Sequence, residues 1–459
     1  MWRFAGFPTF ARGSIVHDHG CTAVVLSVDL RTGSVVSISI HHHSIVFEGN
    51  DSAKFHCYRL SPFFTALIKA AASGDVSSIV SADPESYHAA ELSLLDHAAA
   101  LGNWRAVATL LEANRAILPE HTLSLNSALA WAATGGCSRV LRMLLAAGAS
   151  VLVETTDFGP VLHVAAAAGR QSIIGILLTA GCTATMKNKR GETALHAAAA
   201  SGTARGITEP LLSACLEEVD VDGMSALHAA AKSGNVNGVL ALIAAGAQLE
   251  KLNFKHMTAL SVAAEDGNLH IVTALLKAGA KINEFHRGDS ALSLATEKNH
   301  ADVVETLIRH GADPNRENGR QWLPLFIAAR FNCVATARVL LAGGAHVGGI
   351  SCYNATALHP AVYWGFTDIV DMLLAAGAPL GVVEMRIGTV VHAAVSGGNA
   401  HILEKLIAAG APLNKAGGMR QHTALQMAMM KSDRLGDDMV QMLKKAHASV
   451  KCDTNAHPS

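Results

Sequence analysis

One leucine returns at a near-constant interval along most of this chain, and few folds accommodate that. It stands at positions 67, 95, 129, 162, 195, 227, 260, 292, 325, 358 and 425, with Val391 filling the gap before the last. The first interval is 28 residues and the others run from 32 to 34. Three residues after each anchor there is an alanine: Ala70, Ala98, Ala132, Ala165, Ala198, Ala230, Ala263, Ala295, Ala328, Ala361, Ala394 and Ala428. The sharpest copies read GETALHAAAASG (191–202), GMSALHAAAKSG (223–234), HMTALSVAAEDG (256–267) and NATALHPAVYWG (354–365). Aliphatic pairs such as Leu144–Leu145, Leu177–Leu178, Leu275–Leu276 and Leu373–Leu374 follow. They lead into Gly-Ala at 148, 246, 279, 311, 344, 377 and 410, or Gly-Cys at 181. A glycine closing an apolar run marks a helix end that needs left-handed backbone. Each unit therefore reads as a turn, a short helix, a tight loop, a second helix, a glycine stop and an extended loop. A period of this length means stacked supersecondary units, each unable to bury its apolar face alone.

The pattern resembles the ankyrin repeat, whose period is about 33 residues around a Thr-Pro-Leu-His core. The resemblance spans roughly residues 62–449, twelve units. The motif's proline is usually alanine here, Pro324 being the clear exception, which removes some rigidity from the helix start. The resemblance implies an all-α repeat solenoid of helix-loop-helix units with extended β-turn loops. It also implies a scaffold or adaptor that binds a partner protein through its concave face and loops, without catalysis. In that family the histidine of the fourth motif position, here His163, His196, His228, His359 and His392, bonds loop backbone groups and orders the turn.

Composition agrees with close-packed helices. Half of the 459 residues are apolar, 16% are charged and 5% are aromatic, so the apolar content is mostly Ala and Leu. A formal net charge of −1 speaks against a surface built to neutralise nucleic-acid phosphate or an anionic membrane. Stretches such as Val236–Leu249 are too short and too interrupted to span a bilayer. Residues 1–20 lack the apolar core of a secretory leader, although Arg3 and Arg12 without an acid before Asp18 faintly resemble a mitochondrial presequence. The eight cysteines form no CxxC pair and read as reduced thiols of a cytoplasmic or nuclear protein.

The chain divides by pattern into residues 1–60, an array over 61–449 and a flexible tail over 450–459. Thr22–Leu30 and Ser34–Ile40 are rich in β-branched residues around Arg31-Thr32-Gly33, and Ile45–Phe47 could add a strand. This segment reads as a small N-terminal β-element capping the first repeat, or as partly disordered chain. At the other end, Asp437–Ser449 with Lys444 and Lys445 is polar enough to cap the stack. The unit anchored at Leu195 is irregular: its second helix would contain Gly206 and Pro210, and Cys215 replaces the stop glycine. A proline inside a helix costs about 3 kcal/mol. The sequence thus predicts a kinked or shortened helix at 203–216, either a hinge or a single distorted helix restarting at Pro210.

Chemistry is harder to find. Of the 24 histidines, the run His41-His42-His43 is the tempting metal site. Alternate residues of a strand face opposite ways, however, and no Cys/His pair stands nearby at zinc-finger spacing. There is no nucleophile elbow, no phosphate-binding loop and no GxGxxG opening a helix. No catalytic, cofactor or metal residue is assigned, and no cofactor, nucleic acid, membrane insertion or small-molecule substrate is expected. What remains is surface recognition. The 22 aromatics would place about 2 in any 45 residues, yet 322–366 holds seven: Trp322, Phe326, Phe331, Tyr353, Tyr363, Trp364 and Phe366. Trp322, Phe331, Tyr353, Tyr363 and Trp364 fall at positions expected on the loops or at first-helix ends, with Arg320 and Arg330 beside them. Arg287 holds the equivalent place one loop earlier. Trp, Tyr and Arg dominate binding hot spots, so these eight residues are the candidate partner site, with Glu265, Asp266, Glu297 and Lys298 as a charged rim. The competing reading stacks Phe331 on Trp364 as internal filling. Three other functional readings stay open: a metal-dependent regulator or cryptic enzyme using the His-rich segment, a recognition subunit of a ubiquitin-ligase-type complex, and a self-assembling structural protein. No ligase-docking pattern is apparent in 437–459.

Overall fold

The computed structural model describes residues 94–115, 122–152, 154–155, 159–202, 204–283, 289–431 and 434–454, together with six short strands before residue 60. The chain forms two compact units, Met1–Val221 and Asp222–Ser459.

In the first unit the strands form four antiparallel pairs, of which Glu154–Thr155 with Gly159–Pro160 lies between helices and the other three precede them. Ile15–Asp18 pairs with Cys21–Val24, Val28–Asp29 with Ser34–Val35, and Ser44–Ile45 with Tyr58–Arg59. The segment Thr22–Leu30, expected as one strand, is divided between two hairpins: Cys21–Val24 folds back on its predecessor and Val28–Asp29 pairs forward. The Arg31-Thr32-Gly33 turn, the histidine run 41–43 and the repeat anchored at Leu67 lie outside the described residues.

Helix pairs follow. Those of the first unit are Leu94–Ala100 with Trp104–Arg115, Thr122–Gly135 with Ser138–Ala146, Val161–Ala167 with Gln171–Thr179, and Ala194–Ala200 with Glu209–Cys215. The second unit continues with Ala226–Ser233 and Val236–Ala244, Ala259–Glu265 and Leu269–Lys277, Ala291–Glu297 and Ala301–Arg309, and Pro324–Arg330 and Val334–Ala342. It ends with Leu358–Trp364 and Thr367–Ala375, Val390–Gly397 and Ala400–Ala408, and Ala424–Met429 and Arg434–Thr454. Within each unit, consecutive first helices pack side by side and their partners form an outer layer. This is the all-α repeat stack of helix-loop-helix units.

Packing explains the two periodic residues. Every described anchor from Leu95 to Val391 is buried, and Leu425, in the last pair, is half-buried. All eleven described alanines of the series are buried as well, where a larger side chain would hold neighbouring first helices apart. The stop glycines are left-handed for want of any other way to turn; Gly344 at φ +90° and Gly377 at +79° have nothing near their missing Cβ, so conformation rather than space requires them.

The motif histidines staple one repeat to the next. In His196, His228, His359 and His392, Nδ1 accepts the backbone N–H of the Ser or Thr three residues earlier at 3.1–3.3 Å. Nε2 of His163, His228 and His392 reaches the carbonyl of Glu192, Met257 and His422 in the following loop at 2.8–3.0 Å. A ring that accepts at Nδ1 and donates from Nε2 is neutral. Burial holds the pKa of His359 and of His392 below the ordinary 6.5. The unfolded chain therefore takes up these protons first as pH falls. Stability from the pair is complete above pH 6.5 and is lost as pH falls through the depressed folded values. The urea midpoint is expected to drop between pH 7.5 and 5, and to drop less in a His359→Gln/His392→Gln variant.

The irregular unit resolves into a 3-10 turn, Ala204–Gly206, and a seven-residue helix, Glu209–Cys215, where the other complete second helices from residue 138 to 408 have nine. Pro210 lies in the first helical turn, where its missing N–H would have had no intrahelical acceptor. Cys215 ends the helix and donates its thiol to the Ala184 carbonyl at 3.1 Å.

Candidate functional site

Two extended loops of the second unit are tight turns organised by an asparagine at their start. Asn253 Oδ1 accepts the N–H groups of Lys255 and Met257, and Asn318 Oδ1 those of Arg320 and Trp322, all at 2.9–3.0 Å. Successive tips are also tied sideways. Cys352 N–H donates to the Gln321 carbonyl at 3.0 Å, Met385 N–H to the Tyr353 carbonyl at 3.0 Å, and Met419 N–H to the Arg386 carbonyl at 3.4 Å. The tips therefore form a continuous strip beside the first-helix ends.

Trp322 is the hub of this region. Arg320 and Arg330 lie over its ring at 5.2 and 5.4 Å, and Phe326 and Phe331 flank it at 5.5 and 6.5 Å. Its Nε1–H donates to Cys352 Sγ on the next loop at 3.0 Å. Trp322, expected at an exposed position, is half-buried, because this bond and the Phe326 contact draw the indole inward. It organises the surface more than it displays itself. Tyr363, also expected at an exposed position, is half-buried, its ring set edge-to-face against Trp364 at 5.2 Å. Phe331 thus packs against Trp322 and Trp364 against Tyr363, and both remain exposed, at 42% and 54%. Arg287 lies outside the described residues.

Tyr353 sits at a loop tip with φ +59°, a conformation costly for any residue with a bulky side chain. The next residue, Asn354 at φ +62°, holds the place that glycine takes at Gly191 with φ +71° and that His256 and Gln321 take at +58° and +59°, so Tyr353 adds a second left-handed residue to its loop. Tyr353 fills no core: it is 49% exposed, with Arg386 over its ring at 4.1 Å. A strained residue displayed to solvent points to a role outside folding. Tyr353→Gly is expected to leave the urea midpoint unchanged or slightly raised while weakening partner binding by tenfold or more; equilibrium unfolding and binding of the same variant check this.

Sequence reasoning passed over part of the surface. Met385 and Met419 on the tips are 67% and 84% exposed, and Met429 and Met430 are exposed at the end of the last first helix. The signal was available: Met385 and Met419 hold the place of Cys352, and Met430 that of Tyr363, but methionine escapes a count of aromatics. The rim residues Glu265 and Lys298 stand 3.9 Å apart. Burial, and then Glu265, hold the Asp266 carboxyl above its ordinary range. Burial likewise raises the Cys182 and Cys333 thiols to about 11, which makes them poor nucleophiles. Among the described residues, no group of three or more His, Cys, Asp or Glu could hold a metal ion, and no helix is long and apolar enough to cross a membrane.

A family model described as ankyrin repeats in three copies matches residues 162–253, 249–318 and 316–386. The chain is 40% identical over 77 residues, 17% of its length, to human ankyrin repeat and SOCS box protein 2. It is 44% identical over 78 residues, 16% of its length, to a putative ankyrin repeat protein of fowlpox virus (strain NVSL). It covers 11% and 23% of those two proteins' own lengths.

Proposed function

This chain belongs to the ankyrin-repeat family, and on that footing we propose that it is a scaffold or adaptor that binds a partner protein through its loop tips and first-helix ends. Ankyrin repeats generally mediate protein–protein interaction and are generally non-catalytic. The observation that carries the reading is the aromatic and arginine surface over 320–364, where half-buried Trp322 gathers Arg330 and the exposed Arg320 and Phe331, and Tyr363 with exposed Trp364 follows one repeat later. Exposed apolar surface of this kind in a water-soluble fold marks interaction sites. A ligase-recognition role has behind it only the name of a relative of which the chain covers 11%. A metal-dependent role would need residues 41–43, outside the described chain.

Photo-crosslinking tests the proposal. A benzoylphenylalanine is placed at Tyr353 or Trp364, and at Arg338 on an outer helix as control. Tip and helix-end labels are expected to capture one shared set of proteins that the Arg338 label does not. Capture of the same set from all three positions, or of nothing from the first two, would sink the proposal. Capture of the chain by itself would select the self-assembly reading.

A further inference from the structure

The cations on this face have no anion of their own. Arg320, Arg386 and Arg420 are exposed on the tips, and Arg330 is half-buried at a first-helix end. Lys431 Nζ donates to the Ser396 carbonyl at 3.2 Å. Among the described residues no carboxylate lies within ion-pair reach of these five; the Lys405–Asp371 pair at 2.6 Å belongs to the outer helices. The exposed acids Asp368, Asp371, Glu404, Asp437 and Asp438 also lie on outer helices. Glu384 is buried beneath its own loop, and the loop before Pro324 carries the exposed acids Asp313 and Glu317. Arg320 and Arg330 lie over Trp322, and Arg386 over Tyr353, and a guanidinium carries the donor fork that matches a carboxylate.

The same face has a gap. At the place held by Tyr363–Trp364 in one repeat and Met430–Lys431 two repeats later, the intervening repeat has Ser396-Gly397. A Cβ on Gly397 would fall 2.1 Å from the Tyr363 carbonyl oxygen, so backbone contact keeps the position bare. Between exposed Trp364 and exposed Met430 the face is therefore low: Ser396 donates its hydroxyl to Met427 Sδ at 3.2 Å, and Gly397 beside it carries no side chain.

Resting on the proposed function and deepening it, we infer that the partner engages this face with an acidic segment carrying one bulky apolar side chain. The apolar group seats over Gly397, and the carboxylates pair with Arg330, Arg386 and Arg320. Helix spacing puts the gap about 20 Å from the Arg330 end, so about six extended residues join the two elements. Glu265, Asp266 and Glu297 repel the same carboxylates and fix the segment's direction. Thioether side chains adapt to varied apolar shapes, so the identity of the apolar residue is less constrained than the charge.

The test is selection of an unbiased displayed library of 14-residue peptides on the full chain, followed by affinity measurement on the winners. Selected peptides are expected to be net negative with a bulky apolar residue. They should lose at least tenfold in affinity on Arg330→Glu/Arg386→Glu and on Ser396→Trp, each shown folded by circular dichroism. A lysine-for-acid version should bind the charge-reversed variant better than the wild type. Winners that are neutral or basic, or the absence of winners, overturn the inference. Neutral or basic winners that Trp364→Ala still weakens leave the proposed function standing. Winners indifferent to Trp364→Ala overturn the proposed function as well.

Discussion

The triple variant Phe331→Ala/Tyr363→Ala/Trp364→Ala will bind a captured partner more than about 100-fold more weakly than the parent chain, with the far-ultraviolet circular dichroism of the parent. Phe331 and Trp364 are exposed, so truncation removes little from the core. The fold loses the Tyr363–Trp364 edge contact and the Phe331–Trp322 contact, about 0.5–1.5 kcal/mol each. A central aromatic contact in an interface is worth about 2–4 kcal/mol, and three adjacent ones act together. Trp322→Ala is the instructive contrast: it strips Cys352 of its donor and Arg320, Arg330 and Phe331 of their common support, so it lowers the unfolding midpoint together with affinity. Unchanged affinity in the triple variant, measured by titration calorimetry, would mean that the aromatics are internal filling.

Gly206→Ala will destabilise the first unit by about 3 kcal/mol or more, a large effect for a single added methyl group. Its Cβ would lie 1.8 Å from the Ala166 carbonyl oxygen and 3.0 Å from the Ala198 Cβ. The atom in the way is backbone in the neighbouring first helix, and no flexible side chain can yield. The 3-10 turn at 204–206 is thus seated against the first helices of two repeats, a pinned element in place of the second helix's first turn. A hinge would tolerate the methyl: a loss under about 1 kcal/mol in urea unfolding would restore the hinge reading. Pro210→Ala should be near neutral, since its position in the first turn needs no N–H donor.

Most of the architecture is legible in the sequence because one-dimensional stacking repeats its constraints. The anchor leucine and the alanine three residues on meet the same neighbours in each repeat, so burial at Leu162, Leu260 and Leu358 is the same fact stated three times. Gly206 is not legible in this way. Glycine signals either flexibility or close approach, and only the Ala166 carbonyl beside it distinguishes them. The recognition surface is half legible. An excess of aromatics is a composition signal, but whether Trp322 is displayed or draws inward depends on Cys352, thirty residues away. Arg386 and the exposed methionines gain their meaning only when the loops are set side by side. The split of Thr22–Leu30 between two hairpins shows the converse: β-branched runs reveal strand character and leave pairing partners undetermined.

The sideways bonds between loop tips have a consequence for the energetics of recognition. Loops that each hang from their own helix pair would have to be ordered one by one when a partner arrives. From Gln321 through Cys352 and Tyr353 to Met385, and from Arg386 to Met419, the main chain of one tip holds the next. The strip is ordered by folding, before any encounter. The entropic penalty of association then falls almost wholly on the partner and on the side chains of the strip. A partner segment stiffened in its bound shape should gain affinity chiefly through slower dissociation, whereas further stiffening of the loops themselves should change little.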